Sequence, residues 1–205
     1  MSVVEAEQPL AFAGDDRTSV IGVASGLLRT SRSTPDGRRH ISRFVRRGGM
    51  IGLGATTAFR SCIEAVTTSS VVRFSVSALE RGCAESDEVR RAVIDAMTME
   101  LVARDRILFR MRLWAEERVA DFLLELLEEP DAWTGAASRF RMSRTDIADH
   151  LGLTTETVSR ALGRLQRDGV VRMMDAHHFW VVDKDALTAL ACGDGDTRAR
   201  VCYDR

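Results

Sequence analysis

Residues 142–171, MSRTDIADHLGLTTETVSRALGRLQRDGVV, constrain this chain more than any other stretch. Ser143 suits a helix N-cap, and Ile147, Ala148 and Leu151 then recur at helical spacing. Gly152 interrupts that pattern. Leu153 is apolar, Thr154 or Thr155 can cap a second helix, and Val158, Ala161, Leu162 and Leu165 supply a stripe for burial. Gly169 follows, at a helix end where a left-handed residue costs glycine least. Two helices joined by a short glycine-containing turn are the helix-turn-helix signature.

The face of the second helix opposite that stripe carries Glu156, Ser159, Arg160, Arg164 and Arg167, with Thr155 and Thr157 near its start. A guanidinium fork can bond guanine twice in the major groove, and a glutamate can accept from a cytosine amine. The threonines, Arg164 and Arg144 are placed to reach phosphates, which fix position without reading sequence. The competing reading is an ordinary helix with a solvated arginine face. The turn spacing, and the gathering of reading groups near the helix start, favour double-stranded DNA.

This stretch resembles the DNA-binding motif of the CRP/FNR superfamily of bacterial transcription factors, most of all its FNR and FixK branches. The resemblance is carried by Glu156, Ser159 and Arg160 in ETVSR, preceded by DIADHLGLT. In that superfamily E-x-x-S-R reads half-sites of the TTGA type, so the resemblance implies that role for these three residues. The cyclic-AMP-responsive branch has an arginine just before the glutamate and a glycine before the last arginine. Thr155 and Ser159 stand there in this chain, which points to the FNR-type half-site.

A chain of 205 residues can hold one large or two small domains. Its formal net charge of -1 says little about partners, but the distribution says more. Residues 139–172 carry seven arginines against four acidic residues, whereas residues 116–131 are strongly acidic. A basic C-terminal region on a neutral protein suits a DNA reader. No apolar run is long enough to span a bilayer, and MSVVEAEQPL lacks the basic-then-apolar order of a signal peptide. A cytoplasmic location with no membrane partner is therefore expected. Cys62, Cys83, Cys192 and Cys202 are scattered, without a C-x-x-C pair or a histidine at ligand spacing. They read as incidental reduced thiols, with no metal or other cofactor. The sequence holds no nucleophile–base constellation, P-loop or H-E-x-x-H, so an enzyme is not expected.

Residues 3–82 read as β structure. Runs 19–23 and 26–30 are strand-like, Pro35-Asp36-Gly37 suits a hairpin turn, and residues 40–45 alternate polar with apolar. A glycine-rich stretch at 48–54 and further strands at 61–66 and 70–76 follow. Many short strands between turns suggest a sandwich or barrel. Here the sequence is similar to the superfamily's β-roll sensor domain, through Phe12, Gly14, Asp15, Gly26, the run Pro35-Asp36-Gly37-Arg38-Arg39, Gly49 and Gly52. The chain starts late against that pattern, so the roll is expected to be small, with its ligand cavity reduced or absent. Relatives that bind a cyclic nucleotide use a glycine-glutamate turn for the ribose and an arginine-serine pair for the phosphate. Arg60-Ser61 matches the pair, but Leu53 follows Gly52 in place of the glutamate. The cysteines are not clustered as an FNR-type iron–sulfur cluster requires.

Ser86 caps a long helix predicted to run from DEVRR to about residue 114, its acidic first turn suiting the helix dipole. Ile94, Met97, Leu101, Leu108 and Met111 fall at three- and four-residue steps, interrupted by Arg104. Val89, Val93, Ala96, Ala103 and Ile107 form a second apolar face, interrupted by Glu100. A helix apolar on two sides needs two partners, here its own β-roll and an identical helix in a parallel coiled coil. A single helix buried within a monomer is the alternative. The dimer contacts expected are Val93, Met97, Leu101, Arg104, Ile107, Leu108 and Met111, because the superfamily uses this helix for dimerisation.

A further helix starts at AEERVADFLL and stops at Glu129-Pro130, with a hinge expected near residues 113–115. Residues 131–140 read as a loop. Strands at 170–174 and 178–182 around Asp175-Ala176 make a wing, with His177 and His178 as solvated turn residues. Asp183 caps a last helix over 184–190, and the polar tail after Cys192 is expected to lack structure. The fold class is thus α+β: a β-roll over 1–85, jelly-roll-like, a dimerisation helix over 86–114, and a winged helix-turn-helix over 115–205. The expected function is a homodimeric transcription regulator on a TTGA-type palindromic operator, with RNA polymerase as a further partner. The alternative is a small-molecule sensor, of a cyclic nucleotide or of redox state through Cys62 or Cys83, whose winged helix contacts protein.

Overall fold

Short segments whose apolar residues alternate with polar ones can bury a single face only by pairing and stacking as sheets. Eight such strands follow one another: β1 (Ser2–Val4), β2 (Pro9–Ala11), β3 (Ser19–Ser25), β4 (Leu27–Ser33), β5 (Arg39–Arg46), β6 (Met50–Ile51), β7 (Cys62–Ala65) and β8 (Ser69–Ser75). The computed structural model describes residues 1–54, 56–128 and 138–193, and the chain divides into two units, Met1–Asp105 and Arg106–Arg205. In the first unit the strands form two antiparallel sheets ordered β1-β8-β3-β6 and β2-β7-β4-β5. That order is a double-sheet jelly roll. Val4, Ile21, Val23 and Val71 from one sheet meet Ala11, Leu28, Val45, Ile63 and Ala65 from the other, with Ile51 and Phe59 closing the cluster. The Pro35-Asp36-Gly37 turn joins β4 to β5 as expected, with Gly37 at φ 85° donating to the Thr34 carbonyl at 2.9 Å.

The β pattern ends sooner than the sequence implies. Residues 76–82, read as β structure, belong instead to a helix, α1 (Val76–Glu85), whose N-cap Ser75 accepts from the Ala78 amide at 3.1 Å. After it comes α2 (Asp87–Arg110), capped by Ser86, whose Oγ accepts from the Val89 amide at 3.3 Å. The helix ends at Arg110 rather than near 114, because the amides of Arg112 and Leu113 turn back to the Phe109 and Arg110 carbonyls.

The two faces of α2 differ. Val89, Val93, Ala96 and Ala103 are half-buried, and the Glu100 that interrupts them pairs with Arg43 of β5 at 3.3 Å and with Arg104 at 2.6 Å. On the other face Ile94, Met97, Leu101 and Leu108 are exposed, Leu101 at 68% and Leu108 at 65%. Met111 just beyond the helix is exposed as well, as are Met99, Val102 and Phe109 outside that row.

The second unit holds α3 (Ala115–Leu127), β9 (Ser138–Arg139), α4 (Arg144–Leu151), α5 (Thr155–Arg167), β10 (Val171–Met173), β11 (His178–Val181) and α6 (Lys184–Ala191). Glu117 Oε2 accepts from the Trp114 amide at 2.7 Å, so the acidic start of AEERVADFLL caps its own helix. Its core is built from Val119, Phe122, Leu123, Leu126, Phe140, Ile147, Leu165, Phe179 and Leu187, all buried. The wing has three strands, in the order β10-β11-β9, rather than two. Ser138 and Arg139, read as loop, pair with Phe179 and His178. The expectations for residues 131–137 and for the tail from 194 lie outside the described residues. Cys62 and Cys83 are free and half-buried, whereas Cys192 is disulfide-bonded and departs from the reading of incidental reduced thiols. Among the described residues no helix is long and apolar enough to cross a membrane.

Leu165 lies wholly inside this core. Leu165→Ala is expected to lower unfolding free energy by about 2–5 kcal/mol, from lost burial plus the cavity left behind. Urea unfolding followed by circular dichroism measures it, and a change under about 0.5 kcal/mol, the size of a surface substitution, would contradict this packing.

Candidate nucleic-acid interface

The reading head is fixed by caps at each end of its two helices. Ser143 Oγ accepts from the Asp146 amide at 3.0 Å while Asp146 Oδ2 accepts from the Ser143 amide at 3.4 Å, a reciprocal box at the start of α4. Gly152, at φ 65°, ends α4, and the Leu153 amide returns to the Ala148 carbonyl at 2.9 Å. Thr154 Oγ1 accepts from the Thr157 amide at 3.1 Å and starts α5. At its far end Gly169 takes φ 73°, and the Val170 and Gly169 amides return to the Leu165 and Gln166 carbonyls. Between those caps Val158, Ala161, Leu162 and Leu165 are buried. The opposite face of α5 is therefore presented to solvent.

Six of the seven residues expected to bind DNA lie on that helix. Thr155, Glu156, Ser159, Arg160 and Arg164 are exposed and Thr157 is half-buried. Arg160 Nη2 donates to Glu156 Oε1 at 2.6 Å, one helical turn apart, with both side chains more than 70% exposed. An exposed pair of this kind contributes only about 0.3–0.5 kcal/mol, so it orients both groups and yields readily to base edges. Ser159 Oγ donates to the Thr155 carbonyl at 2.8 Å, leaving its lone pairs outward. Arg164 reaches back to Glu116 of α3 at 3.3 Å.

The seventh, Arg144, is elsewhere. Its guanidinium stacks 4.2 Å from the centre of the Phe140 ring, and its Nη2 donates to the Ala176 carbonyl in the wing turn at 3.3 Å. Burial lowers its pKa. Arg144 thus ties the start of α4 to the wing and is half-buried.

The wing carries a second exposed pair, to which the sequence alone gives no role. Val171 and Phe179 point inward, so Arg172 and Trp180 face each other across β10 and β11 on the outer surface. The alternation of residues 171–173 and 178–181 holds that signal. Gln166 Oε1 accepts from the Met173 amide at 3.2 Å and pins β10 to the end of α5.

At the wing tip Asp175 accepts from the His177 amide at 2.6 Å and from the His178 ring at 2.8 Å. These bonds, the His177 amide first, hold its pKa down at about 2. A carboxyl held below its unfolded value near 3.9 adds order to the turn above that value, lost as pH falls toward 2. NMR titration of the Asp175 carboxyl should give a midpoint well under 3.9, and an ordinary midpoint would contradict this geometry.

In the jelly roll, the loop that would hold a cyclic nucleotide is bound by the chain's own groups. Arg17 donates through Nε to the Thr56 carbonyl and through Nη1 to the Gly52 carbonyl, at 2.5 and 2.9 Å. Phe59 turns into the core, against Gly52 at φ 91°, while Arg60 is exposed. With Leu53 in place of a carboxylate, these residues do not fit a nucleotide's ribose and phosphate.

Comparison with known proteins agrees with this architecture. Residues 2–86 match the cyclic nucleotide-binding domain, and residues 117–190 match the Crp-like helix-turn-helix domain. The chain is 35% identical over 163 residues to the nitrogen fixation regulation protein FixK of Bradyrhizobium diazoefficiens, covering 78% of this chain and 69% of that one. It is 30% identical over 200 residues to the fumarate and nitrate reduction regulatory protein of Salmonella typhi, covering 95% and 78%. The structure of FixK2 from Bradyrhizobium japonicum superposes with a TM-score of 0.85 at 31% identity, covering 97% of both chains. These relatives are regulators rather than enzymes. A jelly roll followed by a helix-turn-helix, at these identities over most of each chain, places the protein in the CRP/FNR family of transcription regulators, close to FixK and FNR.

Proposed function

We propose that this regulator binds a TTGA-type palindrome as a homodimer, reading each half-site with the first two turns of α5. One observation carries the reading: Glu156, Ser159 and Arg160 stand together on the exposed face, over a stripe that is wholly buried. Arg160 bonds a guanine, Glu156 a cytosine on the opposite strand, and Ser159 a neighbouring base or phosphate. Thr155, Thr157 and Arg164 hold the backbone. Arg144 supports them through the wing.

Two-fold operators need two reading heads, and α2 supplies the seam. Met97, Leu101, Leu108 and Met111, with Arg104 among them, are exposed at coiled-coil spacing, and Val93 and Ile107 flank them half-buried. The division into a β-roll over 1–85, a dimerisation helix over 86–114 and a DNA-binding domain over 115–205 follows from those roles. Half-site centres then lie about one helical turn apart. Activation at a promoter adds a contact with RNA polymerase. The work is that of a cytoplasmic protein, and no nucleotide takes part. Genomic footprinting tests the reading: TTGA-type palindromes should dominate the protected sites, and an unrelated or non-palindromic consensus would overturn it.

A further inference from the structure

A cluster of charged groups lies beneath the reading head, away from its exposed face. Arg110, the last residue of α2, is 3% exposed. Its Nε donates to Asp121 Oδ2 at 2.6 Å and its Nη2 to Glu125 Oε2 at 2.7 Å, both on α3. Its Nη1 lies 3.0 Å from Nε2 of His150, a buried residue of α4. A guanidinium has only donors and keeps its charge. The imidazole must therefore be the acceptor, which requires Nε2 to be without a proton. Phe122 walls the cluster, its ring centre 5.7 Å from that of His150 and 6.0 Å from the guanidinium carbon.

The charges around His150 come from three helices. α2 contributes Arg110, and Arg106, which stands 4.0 Å from Asp121 and is held by Glu128 at 3.0 Å. α3 contributes Asp121 and Glu125, and Arg118, which is turned to the Leu151 and Leu113 carbonyls. On α4 itself Asp146 caps the helix start, and Asp149 is half-buried. Asp121 and Glu125 engage the guanidinium through Nε and Nη2, so the charge directly facing Nε2 is the positive Nη1.

We infer that this cluster is a proton-sensitive clamp on the reading head, with Arg110 and His150 as positioning residues for DNA binding. Neutral His150 accepts from Arg110 and fixes α4, and with it α5, to the end of α2. A proton on Nε2 would aim one donor at another and set two cations about one hydrogen-bond length apart, so protonation opens the clamp. The form that binds DNA best is then the one with fewer protons on His150. Operator affinity is full while the His150 ring is neutral and is lost as pH falls and the ring takes up a proton. Linkage makes the effect reciprocal, so binding to the operator must drive the proton from His150.

The inference rests on α5 reading DNA, and the test separates the two. Fluorescence anisotropy of the full chain on a TTGA-type palindrome, at constant ionic strength, compares the parent with His150→Gln between about pH 8 and about pH 5. A glutamine carbonyl accepts from Arg110 at every pH. The parent should lose at least roughly tenfold in affinity over that range and His150→Gln little, since each of the two heads loses one charge-assisted hydrogen bond. Both proteins keep His177 and His178, so the difference isolates His150. Superimposable pH profiles, or a His150-dependent gain in affinity on acidification, would overturn the clamp. Absence of binding at every pH would overturn the DNA reading and the clamp with it. Should His150→Gln fail to fold, NMR titration of the His150 ring in the parent, free and on the operator, decides. A midpoint lowered by DNA supports the clamp, and an unmoved one overturns it.

Discussion

Arg160→Ala is expected to reduce affinity for a TTGA-type palindrome by at least about 30-fold. One bidentate arginine–guanine contact discriminates by about 1–3 kcal/mol, and a dimer on two half-sites loses two of them. The fold should be untouched, since the side chain is exposed and its bond to Glu156 is a surface pair. Arg160→Lys retains the charge without the planar fork, and should recover only a small part of the loss. The slope of affinity against salt should stay near the parent's, because the lost contact is to a base and not to a phosphate. Arg164→Ala should do the reverse, reducing the slope with little change in sequence preference. Anisotropy titrations at several salt concentrations read all three. Parental affinity in Arg160→Ala would remove this residue from base recognition.

Leu101→Glu should be as damaging by another route. In one protomer Leu101 is exposed, so a charge there leaves the protomer's own core intact. In a two-fold α2 pair the same substitution appears twice at the seam, removing two leucines from burial worth about 1.5–3 kcal/mol each and burying two like charges. The dimer dissociation constant should rise on the order of a thousand-fold or more. Binding to the palindrome should then fall to that of an isolated half-site, since the avidity of linked heads is gone. Analytical ultracentrifugation reads the first effect and anisotropy the second. A parent that sediments as a monomer, or a Leu101→Glu protein that stays dimeric, would contradict the seam.

Which features were legible in the sequence follows from how local their physics is. The caps of the reading head were visible because each is a contact within a few residues: Ser143 with Asp146, Gly152 after Leu151, Gly169 after Asp168. The β4–β5 hairpin was visible for the same reason, through Pro35-Asp36-Gly37. α1 was missed because RFSV continues a strand-like alternation, while the helix begins at a serine that caps it, and its apolar residues are only half-buried. β9 was missed because two residues become a strand only through distant partners, Phe179 and His178.

The same limit governs the side chains. The sequence places Arg144 within reach of phosphate, at the start of the first helix of the motif. Its stacking on Phe140 and its bond to the wing are tertiary contacts with no local spacing. Arg110 has no distinguishing spacing in the sequence. Only the folded chain brings Asp121, Glu125 and His150 to it. The split of α2 into a half-buried and an exposed face was anticipated by its two apolar stripes, and Glu100 interrupts the inner one because Arg43 is there to pair with it.

The most direct test compares the parent protein's affinity for a TTGA-type palindrome with that for a duplex of the same length and composition in scrambled order, at physiological salt. If the outward groups of α5 read base edges, the palindrome should bind on the order of a thousand-fold more tightly, the lower end for a specific protein on DNA. Equal affinities for the two duplexes would mean that this helix holds phosphates without reading sequence.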